Sequence, residues 1–96
     1  MSSGYVIAYV EVTNPTQYEE YKKWSTIAMQ AHGVEVCVRG GEVHKLEGDW
    51  SPTRVIVLKF PSFEQAKAFH DSPEYRKARE ARAGAAIMNM IAVEGL

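Results

Sequence analysis

The sequence predicts an α+β sandwich, with one layer of antiparallel sheet lying under one layer of helices. Three observations carry this. The apolar pattern changes period in the order strand, helix, strand, strand, helix, strand. Each half of the chain therefore reads as a strand, a Pro-marked helix start and a strand. A length of 96 residues, 46% of them hydrophobic, supplies one core and one domain over residues 1–96.

Tyr5 to Val12 is β-branched and aromatic and reads as the first strand. Val6, Ala8, Val10 and Val12 form one side; Tyr5, Ile7, Tyr9 and Glu11 form the other. Both sides are largely apolar, so both are expected to be covered, one of them by a partner chain. Asn14 then supplies an N-cap, Pro15 suits the first helical position, and Gln17 is placed to close a capping box. Tyr18, Tyr21, Trp24, Ile27, Ala28 and Ala31 recur at helical spacing, and Gly33 stops the helix.

Val34 to Arg39 is the second strand, with Val34, Val36 and Val38 facing one way. Gly40-Gly41 is a turn, and the weak alternation from Glu42 to Glu47 suggests a short hairpin arm. Gly48 to Pro52 is loop, and Arg54 to Phe60 is the third strand. Ser62 caps the next helix, with Gln65 three residues on and Phe63, Ala66 and Phe69 on one face. Ser72-Pro73 breaks that helix and starts another, whose apolar stripe is Tyr75, Ala78, Ala81 and Ala85. Met88 to Glu94 is the last strand.

Two split β-α-β units in this order are the mark of a ferredoxin-like sandwich, its second helix broken in two. Right-handed crossovers put both helical layers on one face of the sheet. Nothing in the chain is left to cover the other face. A second copy would cover it, so a homodimer is expected.

Lys plus Arg is 11 and Asp plus Glu is 12, a net charge of −1. That argues against bulk electrostatic binding of nucleic acid. The apolar run Tyr5 to Val12 is too short to span a bilayer and contains Glu11, so no membrane partner is expected. The chain shows neither a basic start nor a small-residue cleavage site, and its single cysteine is Cys37, so a cytoplasmic protein is expected.

There is no Gly-rich phosphate loop, no nucleophile elbow and no His pair at helical spacing. His32, His44 and His70 are scattered over separate elements, and no metal or cofactor is predicted. His32 reads as a helix-end residue and Cys37 as a small core hydrophobe. The informative residues are polar ones on apolar strands: Arg39 before Gly40-Gly41, Arg54 opening the third strand, and Asn89 within the last. Such charges are paired or meet an anion. Two readings are open. Either Arg39 or Arg54 pairs with Glu35, Glu42 or Glu47, or one or two arginines recognise a carboxylate or enolate. Tyr5, Tyr9, Tyr18, Tyr21, Trp24 and Trp50 are core, interface, or the lining of a pocket for a planar ligand.

The ordered series Arg39-Gly40-Gly41, Glu47-Gly48, Arg54, Phe60-Pro61-Ser62, Ser72-Pro73-Glu74-Tyr75, Arg82 and Glu94-Gly95 resembles the domain-of-unknown-function 1330 family, within the dimeric α/β-barrel superfamily. The resemblance runs from Tyr5 to Gly95. It implies a ferredoxin-like protomer whose sheet packs on a second copy to form a barrel-like dimer. It also implies ligand binding between sheet and helices or inside each half of the barrel. Relatives in that superfamily include cofactor-free monooxygenases, lactone isomerases, haem-handling enzymes and stress proteins. The positions matching the family pattern are Arg39, Glu47, Arg54, Ser72, Tyr75 and Arg82. The chain departs from it at Phe69-His70, where Trp-Tyr is frequent, and at Met88-Asn89, where a Gly-Arg pair is frequent.

These lines lead to two expectations of different class. One is a cofactor-free enzyme or enzyme-like binder for a small anionic or enolisable organic molecule. Arg54 and Arg82 would bind the anion or oxyanion, with Arg39, Glu47 and Ser72 as further ligand-binding positions. Tyr75 would orient the ligand or donate a proton, and His44 or His70 would serve general acid–base work near neutrality. The other is a non-catalytic dimeric module, stress-related or ligand-sensing. Haem handling through His44 or His70 is a third and weaker reading.

Overall fold

The computed structural model describes residues 3–96. Its elements are β1 (Gly4–Val12), α1 (Pro15–Ala31), β2 (Glu35–Arg39), β3 (Arg54–Phe60), α2 (Phe63–Phe69), α3 (Pro73–Ala81) and β4 (Ala86–Glu94). The strands lie in the order β2-β3-β1-β4, and every pairing is antiparallel. Each helical connection skips one strand. α1 carries the chain from β1 past β3 to β2, and α2 with α3 carries it from β3 past β1 to β4. This is the expected ferredoxin-like sandwich.

Period-two alternation on β1 decides which face the helices cover. Val6, Ala8 and Val10 are buried beneath them, while Tyr5, Ile7 and Tyr9 are half-buried on the opposite face. The core joins those β1 residues to Leu58 and Phe60 of β3, Tyr18, Tyr21 and Ala28 of α1, Phe69 of α2, and Tyr75 and Ala78 of α3. Ala28 and Ala78 have no exposed surface, which suits the close packing of α1 on α3. Gly4 is required where β1 passes the start of α2. A Cβ there would lie 2.6 Å from the Phe63 Cα.

The helix starts follow from local chemistry. Asn14 Oδ1 accepts from the Gln17 amide at 3.1 Å, Ser62 Oγ from the Gln65 amide at 3.1 Å, and Ser72 Oγ from the Tyr75 amide at 3.2 Å. Gln17 does not close a capping box. Its amide donates to the carbonyls of Ala81 and Ala83, at 3.0 and 2.7 Å, and ties the start of α1 to the end of α3.

Further expectations are corrected. The chain between β2 and β3 forms no hairpin arm over Glu42–Glu47; it runs exposed and without regular structure. A bulge at Cys37 breaks the β2 alternation. Val36 sits opposite Leu58 but Val38 opposite Val57, so these valines point to different faces, and Cys37 is exposed rather than core. α3 ends at Ala81, and the buried Ala85 belongs to the following turn. β4 begins at Ala86, two residues early, because Ala86 pairs with Val12.

Candidate functional site

The helices do not seal completely against the sheet. A narrow cleft remains, floored by Val6 and Ala8 of β1, Ile56 and Leu58 of β3, and Met90 of β4. Its roof is Tyr18, Tyr21, Ser25 and Met29 of α1, closed by Phe69 and Tyr75. Lys22, Arg39 and Arg54 complete the lining. The free volume is about 20 Å³, close to what one ordered water requires.

Tyr75 is brought here by its helix. Ser72 caps α3, accepting from the Tyr75 amide and donating to the Phe69 carbonyl at 2.7 Å. Both capacities of the Ser72 hydroxyl are thus used within the fold, and its part in the site is to place Tyr75. The Tyr75 hydroxyl lies 2.7 Å from that of Tyr21 and donates to the Met90 sulfur at 3.6 Å. Tyr75 has one proton to give, so Tyr21 is the donor between the two phenols. Burial, reinforced by the Tyr75 hydroxyl, pushes the Tyr21 phenol well above its usual range and keeps it protonated. A thioether is a weak acceptor, so the Tyr75 proton ends on a partner that a ligand oxygen would readily outcompete.

Two further groups have no partner. The Tyr18 hydroxyl and the Arg54 Nε are buried, and among the described residues neither makes a hydrogen bond. Tyr18 is only 4% exposed, so an unmet donor there is costly unless water or a ligand meets it. The Arg54 guanidinium stands over the Tyr18 ring, 5.8 Å from its centroid. Among the described residues neither Arg39 nor Arg54 forms an ion pair, so the pairing with Glu35, Glu42 or Glu47 is not made. Arg39 instead donates to Thr26 Oγ1 at 2.9 Å. Among the described residues no carboxylate lines the cleft, though Glu19 pairs with Lys22 of its lining at 2.9 Å.

The other expected site residues lie elsewhere. Arg82 stands over the Tyr21 ring at 5.8 Å, with its Nε buried and unpartnered, but it lines an outer groove with His70, Arg76 and Arg79. His44 and Glu47 line an open groove formed by their own exposed segment. His32 pairs with Glu74 at 2.7 Å, joining the end of α1 to the start of α3. Asn89 is exposed opposite Tyr9 on the uncovered sheet face. Among the described residues no group of three His, Cys, Asp or Glu is placed to hold a metal, and no helix is long and apolar enough to cross a membrane.

His70 caps the end of α2, with its ring 5.8 Å from that of Tyr75. Burial first, then Arg79, hold its pKa below the usual 6.5, with Arg82 adding to this and Asp71 opposing it. Native His70 therefore binds fewer protons than unfolded His70. Its contribution to stability is complete above about pH 6.5 and is lost as pH falls through the lower native value. Urea midpoints measured downward from pH 7 are expected to fall less steeply in His70→Gln than in the wild type.

The sequence groups Tyr18 and Tyr21 only as pocket, core or interface aromatics, and does not single out Lys22. A usable signal was present. Two hydroxyl-bearing rings three residues apart on one apolar stripe must find partners when buried.

Comparison with known proteins places this geometry. A protein of unknown function from Rhodopseudomonas palustris superposes with a TM-score of 0.75 at 20% identity, over 99% of this chain and 83% of its own. A dimeric ferredoxin-like protein of unknown function from Thermobifida fusca gives 0.63 at 17% identity, over 99% and 92%. SnoaB, a cofactor-independent oxygenase from Streptomyces nogalater, gives 0.61 at 9% identity, over 97% and 92%. At these identities the likeness shows the fold alone. No functionally curated protein matches the chain. The model of one sequence family, described as a domain of unknown function, matches residues 3–96, and the chain belongs to that family, DUF1330.

Proposed function

We propose that the cleft between helices and sheet binds a small, acceptor-rich organic molecule carrying a carboxylate or an enolisable carbonyl. One observation carries this reading. Among the described residues the cleft is lined by Lys22, which Glu19 pairs at 2.9 Å, and by Arg39 and Arg54, which no carboxylate pairs, and its unmet polar groups, the Tyr18 hydroxyl and the Arg54 Nε, can both donate. Arg54 takes the negative group through charge-assisted hydrogen bonds. Tyr75 turns its proton from the Met90 sulfur to a ligand oxygen, and Tyr21, still protonated, supports it from behind. This arrangement stabilises an oxyanion or enolate and requires no cofactor to do so.

The cavity holds about one water as it stands. Admitting an organic anion therefore requires Lys22 or Arg39 to swing outward. The same narrowness favours a second reading, a ligand-sensing module that binds without turnover.

The protein is further proposed to act as a homodimer closed through the uncovered sheet face. That face carries an apolar row across all four strands, Val38, Val57, Ile7 and Ile91 in mutual register. The neighbour from Thermobifida fusca is itself a dimer.

Titration with benzoate and its neutral isostere benzamide tests the ligand class. Wild type is expected to prefer benzoate. Arg54→Leu is expected to weaken benzoate by about tenfold or more, the worth of a hydrogen bond to a charged group, while leaving benzamide within about twofold. Equal binding of both probes by the wild type would reject the anion reading.

A further inference from the structure

We infer that Gly40 is the positioning residue of Arg54, holding its guanidinium at the cleft by shape where no counter-ion holds it by charge. Arg54 opens β3 and has no ion-pair partner among the described residues. Its guanidinium rests instead on two surfaces. One is the Tyr18 ring at 5.8 Å. The other is the Gly40 backbone, where a Cβ would lie 2.6 Å from the Arg54 Cζ and 3.0 Å from Nη2, with Nη1 nearer still. The Gly40 amide donates to the Val55 carbonyl at 3.0 Å, which anchors this backbone to the strand that carries Arg54.

Gly40 thus has two separable reasons to be glycine. Its φ is +74°, which any L side chain adopts with strain. Its missing side chain is also the space that the Arg54 guanidinium occupies. The other glycines separate these reasons. Gly48 has φ +91° with nothing within 4 Å of a Cβ, and Gly41 has neither a positive φ nor a near neighbour. A side chain at position 40 would leave the charge of Arg54 intact and move it away from the cleft. The ligand part of this inference rests on the anion reading above; the packing part does not.

A double-mutant cycle on the full chain tests the packing part. Gly40→Ala is expected to lower the urea midpoint more than Gly48→Ala. In an Arg54→Ala background the same substitution is expected to cost no more than Gly48→Ala, because only backbone strain remains. If Gly40→Ala alone does not fold, recovery of folding in Gly40→Ala/Arg54→Ala gives the same support. Equal cost of Gly40→Ala in both backgrounds, or a double variant that also fails to fold, would overturn the inference.

Benzoate and benzamide supply a readout that a purely structural glycine would not move. Gly40→Ala, where folded, is expected to lose benzoate affinity about tenfold while keeping benzamide, and Gly48→Ala and Gly41→Ala are expected to stay within about twofold of wild type. Unchanged benzoate preference in Gly40→Ala would refute a positioning role. If the wild type shows no preference for benzoate, the anion reading falls, and the cycle alone decides whether Gly40 places Arg54.

Discussion

Tyr75→Ala is expected to cost about 3–5 kcal/mol of folding stability, the range for removing a buried aromatic side chain. Tyr75 is 2% exposed and packs its ring on Phe69 at 4.8 Å and Tyr21 at 6.3 Å. A domain of this size has about 5–15 kcal/mol in total, so the variant should melt roughly 15–30 °C lower. Tyr75→Phe separates the core role from the site role. It keeps the ring but removes the acceptor of the Tyr21 proton, leaving a buried donor unmet at a cost of about 1–3 kcal/mol. Removing both hydroxyls, in Tyr21→Phe/Tyr75→Phe, leaves no orphan between them. Denaturant unfolding is therefore expected to rank the double variant as more stable than Tyr75→Phe. The reverse order would mean that the hydroxyl pair at 2.7 Å is not the bond described.

The same pair sets an alkaline limit. Because the native Tyr21 phenol is held above its usual value of 10.0, the native state keeps a proton that the unfolded state releases. Its stabilisation is whole below about pH 10 and is lost as pH rises beyond it.

What was legible in the sequence is what local chemistry decides. Asn14, Ser62 and Ser72 each meet an amide three residues on, as their spacing implies, because a cap needs only its own first turn. The alternation of β1 named its two faces, though not which one the helices cover. Contacts made across long separations were not legible. Gln17 leaves its capping box for carbonyls 64 and 66 residues away. The bulge at Cys37 depends on register against β3, and no residue of β2 announces it.

The site divides in the same way. Arg54 stands out in the sequence as a charge on an apolar strand and Tyr75 as a family match, and the fold does bring both to one cleft. Tyr21 joins Tyr75 across 54 residues, and Gly40 meets Arg54 only once β2 and β3 are paired. His44 and Glu47 gathered no partners in the cleft because the segment that carries them lacks the strand pairing that would have aimed them.

Ile91→Lys is expected to convert a dimer into a monomer with little change in the stability of the protomer. Ile91 is 51% exposed on the edge strand β4, so a lysine there meets water in a single chain. In a dimer closed through the sheet it would be a charge enclosed in the apolar row Val38, Val57, Ile7 and Ile91. Leaving such a charge unpaired costs about 3 kcal/mol or more, which is about two decades in dimer Kd. Trp50 lies edge-on to Tyr9 on the same sheet at 4.6 Å, yet remains 61% exposed, so it shields that row only in part. Sedimentation velocity across a concentration series reads the outcome. Dissociation of Ile91→Lys, with an unchanged urea midpoint at concentrations where the wild type is monomeric, places the interface on this face. A variant that dimerises as tightly as wild type would move the interface elsewhere and leave the row of four without a cover.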